Sequence, residues 1–250
     1  METSTQIVDN TIRIFEIEKE LEEKEYDEKL VCFLDILGYG NQLSKSQMPK
    51  DVALPILILR EFEHIVRKNH GHLYISVFSD CLYIVTDKEY AEELLEVVSF
   101  ISYQLLTDST HNEKEEYQYH LLRGGITFGK IYEENGLLLG PGMINAYTLE
   151  TKAFYPRIIV DKSAKEYLDS IEPNVLRKDQ GIYFIDYLTF IHCKDHFKDK
   201  IPKHSFNHVL QWVEKQCDEY EKLERESSNL KRKYAWVYDY LNGFKNAHNI

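Results

Sequence analysis

No stretch of the 250-residue chain is apolar for long enough to cross a bilayer, which takes roughly 20 consecutive residues. The N-terminus is polar and acidic and lacks the apolar segment of a secretory signal, so the expectation is a cytoplasmic protein with no membrane partner. Positive charge is scarce. Thirty Lys and Arg stand against 42 Asp and Glu, a formal net charge of −12. That balance excludes a general nucleic-acid groove, because phosphate backbones need a basic face. A small anionic substrate stays open if a cation or a local basic cluster receives it. Paired cysteines are also lacking. Cys32, Cys81, Cys193 and Cys217 are widely spaced, and the first two lie in apolar strands, so they read as buried thiols and not as a disulfide framework. His192 and Cys193 with His196 mimic half a metal site, but no second cluster stands at zinc spacing. There is no internal repeat and no low-complexity linker. The chain reads as a charged N-terminal arm (1–29), one catalytic-sized domain (30–190) and a helical C-terminal extension (191–250).

What the chain does have is a dense apolar run from Leu30 to Leu37, broken by one acid, Asp35, and followed by Gly38-Tyr39-Gly40. Such a run reads as a buried central strand ending in a tight loop. A carboxylate inside it is costly unless compensated. Asp35 therefore either caps the following turn or faces a metal ion in a cleft.

Downstream, Val52 to Lys68 carries apolar residues at helical spacing (Leu54, Leu57, Ile58, Phe62, Ile65, Val66). Leu73 to Phe78 and Cys81 to Thr86 read as strands joined by a two-residue turn, Ser79-Asp80. Tyr90 to Leu106 is a second amphipathic helix. A charged loop, 108–116, precedes a strand from Tyr119 to Phe128, and a hairpin over Lys130 to Leu139 turns at Asn135-Gly136. A helix over Met143 to Phe154, a strand over Arg157 to Val160, a helix from Ser163 and a strand over Ile182 to Tyr187 follow. Helical spacing then runs from Ser205 to about His248, with Asn242-Gly243 as a stop or kink. The order strand, helix, strand, strand, helix, strand predicts an α+β fold with a ferredoxin-like βαββαβ core. In that topology the first strand lies antiparallel beside the third, so Asp35 and Asp80 meet although they are distant in sequence.

Two carboxylates at adjacent strand ends suit one or two hard divalent cations, which take oxygen ligands and bridge to substrate phosphates. Glycines in the loop after Asp35 let backbone amides approach an anion. Together these features point to a nucleoside triphosphate; ordinary turn glycines are the plainer alternative.

The residues that carry a family resemblance are Phe33-Leu-Asp-Ile-Leu-Gly-Tyr39, Phe78-Ser-Asp80, Arg123-Gly-Gly-Ile-Thr-Phe-Gly129 and Gly140-Pro-Gly-Met-Ile-Asn145. In order and approximate spacing they resemble the class III nucleotidyl cyclase catalytic domain, over about residues 30 to 165. The Arg-Gly-Gly-Ile-Thr form, Asn145-Ala-Tyr-Thr-Leu-Glu150 and an end helix with Lys233-Tyr-Ala-Trp236 and Asn242 resemble more closely the bacterial pyrimidine cyclases of the Pycsar anti-phage systems.

The resemblance implies that Asp35 and Asp80 bind two divalent ions, manganese or magnesium, with the Ile36 carbonyl as a further ligand. It implies that backbone from Leu37 through Gly38 and Tyr39 to Gly40 cradles phosphates and that Asn145 orients the ribose. Phe33, Ser76, Arg123 and Tyr147 complete the expected nucleotide site. The implied partners are UTP or CTP and a second copy of the chain, with composite sites between the two copies; a separate effector would read the cyclic nucleotide without touching this chain. The departures are specific. Purine cyclases place a lysine where Ser76 stands, four residues before Asp80, and an Asp or similar group where Leu138 stands. Their transition-state arginine is Leu149 here. The reading is a uridylate cyclase making cyclic UMP from UTP, with a cytidylate cyclase or a catalytically silent nucleotide-binding module as alternatives. Arg123, Lys130, Lys152 and Arg157 are the candidates to replace the missing arginine.

Overall fold

The computed structural model describes residues 18–19, 21–107, 110–111, 117–134, 137–171, 175–194, 203–221 and 227–248. Most of the expected N-terminal arm, most of the 108–116 loop, the Asn135-Gly136 turn and His196 lie outside those residues.

The strands are β1 (Asp27–Ile36), β2 (Tyr74–Phe78), β3 (Cys81–Thr86), the short pair β4 (Thr110–His111) and β5 (Tyr117–Gln118), β6 (Leu122–Glu134), β7 (Leu137–Leu139), β8 (Ile158–Val160), β9 (Leu176–Asp179) and β10 (Ile182–Ile185). The helices are α1 (Tyr39–Lys45), α2 (Ala53–Asn69), α3 (Ala91–Thr107), α4 (Pro141–Lys152), α5 (Lys162–Asp169), α6 (Tyr187–Cys193), α7 (Lys203–Glu221) and α8 (Ser227–His248). The main sheet has the order β2-β3-β1-β6-β8-β10-β9, with β7 paired to β6. Neighbours are antiparallel except β6 and β8. Its first four strands reproduce the expected ferredoxin-like order, with β1 between β3 and β6.

β1 is buried on both faces, and its two-residue period sorts the side chains. Leu30, Cys32, Leu34 and Ile36 enter a core shared with Leu59, Phe62 and Val66 of α2 and Leu94, Leu95 and Val98 of α3. Val31 and Phe33 face the other way, into a smaller cluster with Val85, Ile131 and Ala146 of α4. Asp35 falls on this second face. A third cluster joins Tyr103 and Leu106 of α3 to Val209 and Val213 of α7 and Val237, Leu241 and Phe244 of α8.

Several local expectations change. Tyr39 and Gly40, expected in the tight loop after β1, instead open helix α1. β6 is one 13-residue strand that starts at Leu122, so the expected separate hairpin arm is its continuation. β9 was not expected. The strand at Ile182 stops at Ile185 because Asp186 caps α6, accepting from the Thr189 amide at 3.2 Å and its hydroxyl at 2.9 Å. Asn242-Gly243 does not stop α8, which continues to His248.

Arg157, one of the candidates to replace the missing arginine, is buried. It is 3% exposed, its Nη1 donates to Asp179 Oδ2 at 2.7 Å, and its guanidinium packs among the rings of Tyr155, Phe184 and Trp236. Trp236 Nε1 donates to the same Asp179 oxygen at 3.0 Å. This paired, aromatic-boxed cation ties α8 to the sheet, and it removes Arg157 from the candidates for a phosphate contact.

Beside it His120 is buried, and among the described residues neither ring nitrogen has a hydrogen-bond partner. Burial pushes its pKa from the ordinary 6.5 down to about 4. The unfolded chain therefore binds this proton more readily, and stability is lost as pH falls from 6.5 towards 4. Between pH 7 and pH 4 the wild type should lose on the order of 3 kcal/mol more than His120→Leu. Urea unfolding at the two pH values measures this, and the subtraction cancels every other titrating group the two proteins share. Parallel losses would show that His120 does not report on acid stability.

Candidate functional site

The C-terminal end of β1 is where the expected carboxylates meet. Asp35 is the register partner of Cys81 on β3 and of Arg123 on β6. Directly before Cys81, Asp80 completes the Ser79-Asp80 turn, and its carbonyl accepts the Ile36 amide at 3.0 Å. Ser79 takes a positive φ of 53°, which a two-residue hairpin demands at its first turn position. The register thus lays Phe78, Cys81, Asp35 and Arg123 in one row across four strands. The next row on the same face holds Ser76, Tyr83, Phe33 and Gly125. Tyr147 of α4 reaches down to this second row and meets the Phe33 ring edge-on, with centroids 5.5 Å apart.

The electrostatics of the first row are crowded with negative charge. Burial, then Glu150, then Asp80 push the Asp35 carboxyl up to about 6, against the pull of Arg123. Arg123 Nη2 lies 3.6 Å from Asp35 Oδ2 and also pairs with the buried Glu150. Glu150 is itself raised by burial, opposed by Arg123 and by Lys233 of α8. Cys81, its thiol pushed up to about 11 by burial and the neighbouring carboxylates, is no nucleophile.

Among the described residues no three His, Cys, Asp or Glu side chains stand together as a ready-made metal cage. The donors at this corner are instead two carboxylates and backbone carbonyl, all oxygen, in a setting short of positive charge. This donor set fits a hard divalent cation that completes its shell with water and substrate phosphate.

The loop after β1 turns at Gly38, whose φ of 79° favours glycine. The Leu37 amide is engaged, donating to the Leu121 carbonyl at 2.8 Å. The amides that open α1 are the ones left to face an anion. The Tyr39 side chain does not join them: it is buried and its hydroxyl donates to the Val52 carbonyl at 3.2 Å, so it serves the core.

Asn145 is not brought to Asp35 within one chain. Exposed on α4, it lies over Gly129. Six residues of β6 separate Gly129 from Arg123, about 20 Å at roughly 3.3 Å per residue. Ile144 and Tyr147 beside Asn145 are 68% and 52% exposed. Sequence reasoning named Glu150 as the end of the Asn145–Glu150 motif, gave it no role, and missed the link to Lys233. A carboxylate at a helix position flanked by Leu149 and Ala153 was the available signal for Glu150. Lys233 was noted only as part of an end-helix motif, with nothing local to link it to Glu150.

No protein-family model matches the chain, and no curated protein matches it. Solved structures do. The monomeric guanylyl cyclase domain of the RhoGC fusion protein from the aquatic fungus Blastocladiella emersonii aligns with a TM-score of 0.54 at 18% identity, over 65% of this chain and 96% of that one. A dimeric form of the same fungal domain gives 0.51 at 16% identity, over 65% and 96%. The catalytic core of a rhodopsin-guanylyl cyclase with converted specificity, in complex with ATPαS, gives 0.51 at 19%, over 65% and 97%. This chain therefore carries the fold of the class III nucleotide cyclase catalytic domain, extended by C-terminal helices.

Proposed function

We propose that the protein is a divalent-metal-dependent pyrimidine nucleotide cyclase that converts UTP to cyclic UMP and pyrophosphate, acting as a cytoplasmic source of second messenger in bacterial anti-phage defence. The observation that carries this reading is the meeting of Asp35 and Asp80 at adjacent strand ends of a cyclase fold, in an oxygen-only, negatively charged corner beside a glycine turn. In the reaction the ribose 3′-oxygen attacks the α-phosphorus. The bond to the bridging β-phosphate oxygen breaks, pyrophosphate leaves with the electron pair, and the 3′-hydroxyl proton passes to solvent. Asp35, Asp80 and the Ile36 carbonyl would hold manganese or magnesium. When bound, such ions acidify the 3′-hydroxyl and neutralise the triphosphate. The α1 amides receive phosphate oxygens, and Ser76, Phe33 and Tyr147 form the neighbouring wall for the base.

Pyrimidine preference is supported by what stands at the purine-reading positions. Ser76 and Leu138 offer no cation and no carboxylate there. The separation of Asn145 from Asp35 supports a homodimer, in which the Asn145 of one copy serves the carboxylates of the other. Leu149, in place of an arginine that would steady the transferring phosphate, favours a second reading, a nucleotide-binding module without turnover.

Incubation of the purified protein with each of the four NTPs and manganese decides among these. Cyclic UMP as the main product is expected. Cyclic CMP would transfer the assignment to CTP, cyclisation of ATP or GTP alone would overturn the pyrimidine reading, and no product with any NTP would leave the binding module.

A further inference from the structure

Glu150 is the hinge of a charge cluster that the cyclase-like core does not complete by itself. Its carboxylate is 97% buried and pairs with Arg123, which in turn lies 3.6 Å from Asp35. A buried carboxylate with one shared arginine is undercompensated, since Arg123 divides its charge between two acids. The second cation comes from the C-terminal extension. Lys233 on α8 is half-buried, and its pKa is lowered by burial and by Arg123 while Glu150 pulls it back up. Its ammonium group lies 5.5 Å from the centre of the Phe154 ring, just past the end of α4. Helix α8 has little freedom here. One turn further on, Trp236 is fastened to Asp179 and stacked on Tyr155 and Tyr240, with centroids 5.6 and 5.5 Å away.

We propose that Lys233 is a positioning residue of the active site: it balances Glu150 so that Arg123 stays committed to the Asp35 corner, which makes α8 part of the catalytic apparatus. This rests on the cyclase reading above. Without Lys233, Glu150 would draw Arg123 off Asp35 and leave an extra negative charge where the triphosphate has to sit. With two cations facing Glu150, the negative charge left at the corner is that of Asp35 and Asp80 with part of Glu150 offset, which a divalent ion can then neutralise.

The test is a charge-balance series: Lys233→Met, Glu150→Gln, the double variant, and Arg232→Met as a control. Arg232 is Lys233's neighbour and lies over the same Phe154 ring, 4.9 Å from its centre. Two readouts are taken. One is turnover of the preferred NTP. The other is calorimetric binding of α,β-methylene-UTP with manganese, whose P–C bond cannot release pyrophosphate. Lys233→Met should cost about tenfold or more in both. Adding Glu150→Gln to it should restore most of that loss, because both unbalanced charges are then gone, and Arg232→Met should match the wild type. A merely structural role for Lys233 predicts a lower melting temperature with the analogue affinity of the folded protein unchanged, so melting curves are taken beside the binding measurements. The inference is overturned if Lys233→Met behaves as wild type, if the double variant is no better than the single, or if Arg232→Met is equally damaging. A wild-type protein inert toward every NTP would instead remove the cyclase reading itself, so the two failures are distinct.

Discussion

Asp35→Asn is expected to abolish turnover, by at least about 10³-fold, while making the protein slightly more stable. The first effect follows from the role proposed for the carboxylate. Losing one ligand of a cation that stabilises developing charge removes several kcal/mol from the transition state, and each 1.36 kcal/mol is tenfold in rate. The second follows from its surroundings. Asp35 has its pKa raised to about 6 by burial and by two neighbouring carboxylates. A group raised in the folded state contributes stability that is fully present below its ordinary value of 3.8 and is lost as pH rises through 6. At pH 7 the charged carboxylate is therefore a burden, and the neutral amide lifts it. Partial exposure of the side chain screens the effect, so the gain is on the order of 1 kcal/mol. Melting curves at pH 7 and pH 4 measure it: the variant should melt higher at pH 7, and the advantage should vanish at pH 4. A variant that is inactive and also less stable would mean that Asp35 serves the fold first, which would undo the assignment. Residues that serve chemistry at the expense of the fold are expected to show this opposition of signs.

The parts of this arrangement that could be read from the chain are those encoded by short periods. β1 declared itself as an eight-residue apolar run, α2 and α3 by their 3.6-residue stripes, and the β2–β3 hairpin by two apolar runs flanking Ser79-Asp80. The strand order then followed from topology, and with it the meeting of Asp35 and Asp80. What could not be read depends on where distant segments land. Arg157 stood among the candidates for a phosphate contact because a cation beside Ile158, Ile159 and Val160 has no local explanation; its partners Asp179 and Trp236 arrive from β9 and α8. Lys233 was read only as part of an end-helix motif, in the basic run Lys231-Arg232-Lys233, and only the docking of α8 brings it to the end of α4. Helix α1 was hidden because its seven residues hold one aliphatic side chain, Leu43, and one aromatic, Tyr39, too few to show a stripe. Tyr39 was assigned to the ligand through its backbone, from its place in a motif, and its ring packs into the core.

The glycine pair after Arg123 was read as part of a motif, and the physical purpose of its second member, Gly125, is to let α4 lie directly on the sheet. A β-carbon built at Gly125 would stand 2.6 Å from the Ala146 carbonyl oxygen and 3.0 Å from the Glu150 amide nitrogen, and would also collide with Leu149 Cβ. Two of these three obstacles are helix backbone, so no rotamer change relieves them, and the whole helix has to lift. Gly125→Ala should therefore destabilise the protein by about 3 kcal/mol or more, the upper range for overpacking. It should also reduce turnover by about 10²-fold, because displacing α4 by an ångström carries Glu150 away from Arg123 and Asn145 off its mark. Gly243→Ala is the matched comparison. Gly243 lies within α8 with nothing near its missing β-carbon, so alanine there should stabilise by up to about 1 kcal/mol through helix propensity alone. Urea unfolding of both variants, with turnover measured on the same preparations, reads the two opposite signs. A Gly125→Ala protein within about 0.5 kcal/mol of wild type would show that α4 can shift freely, and the site would then not owe its geometry to this close approach.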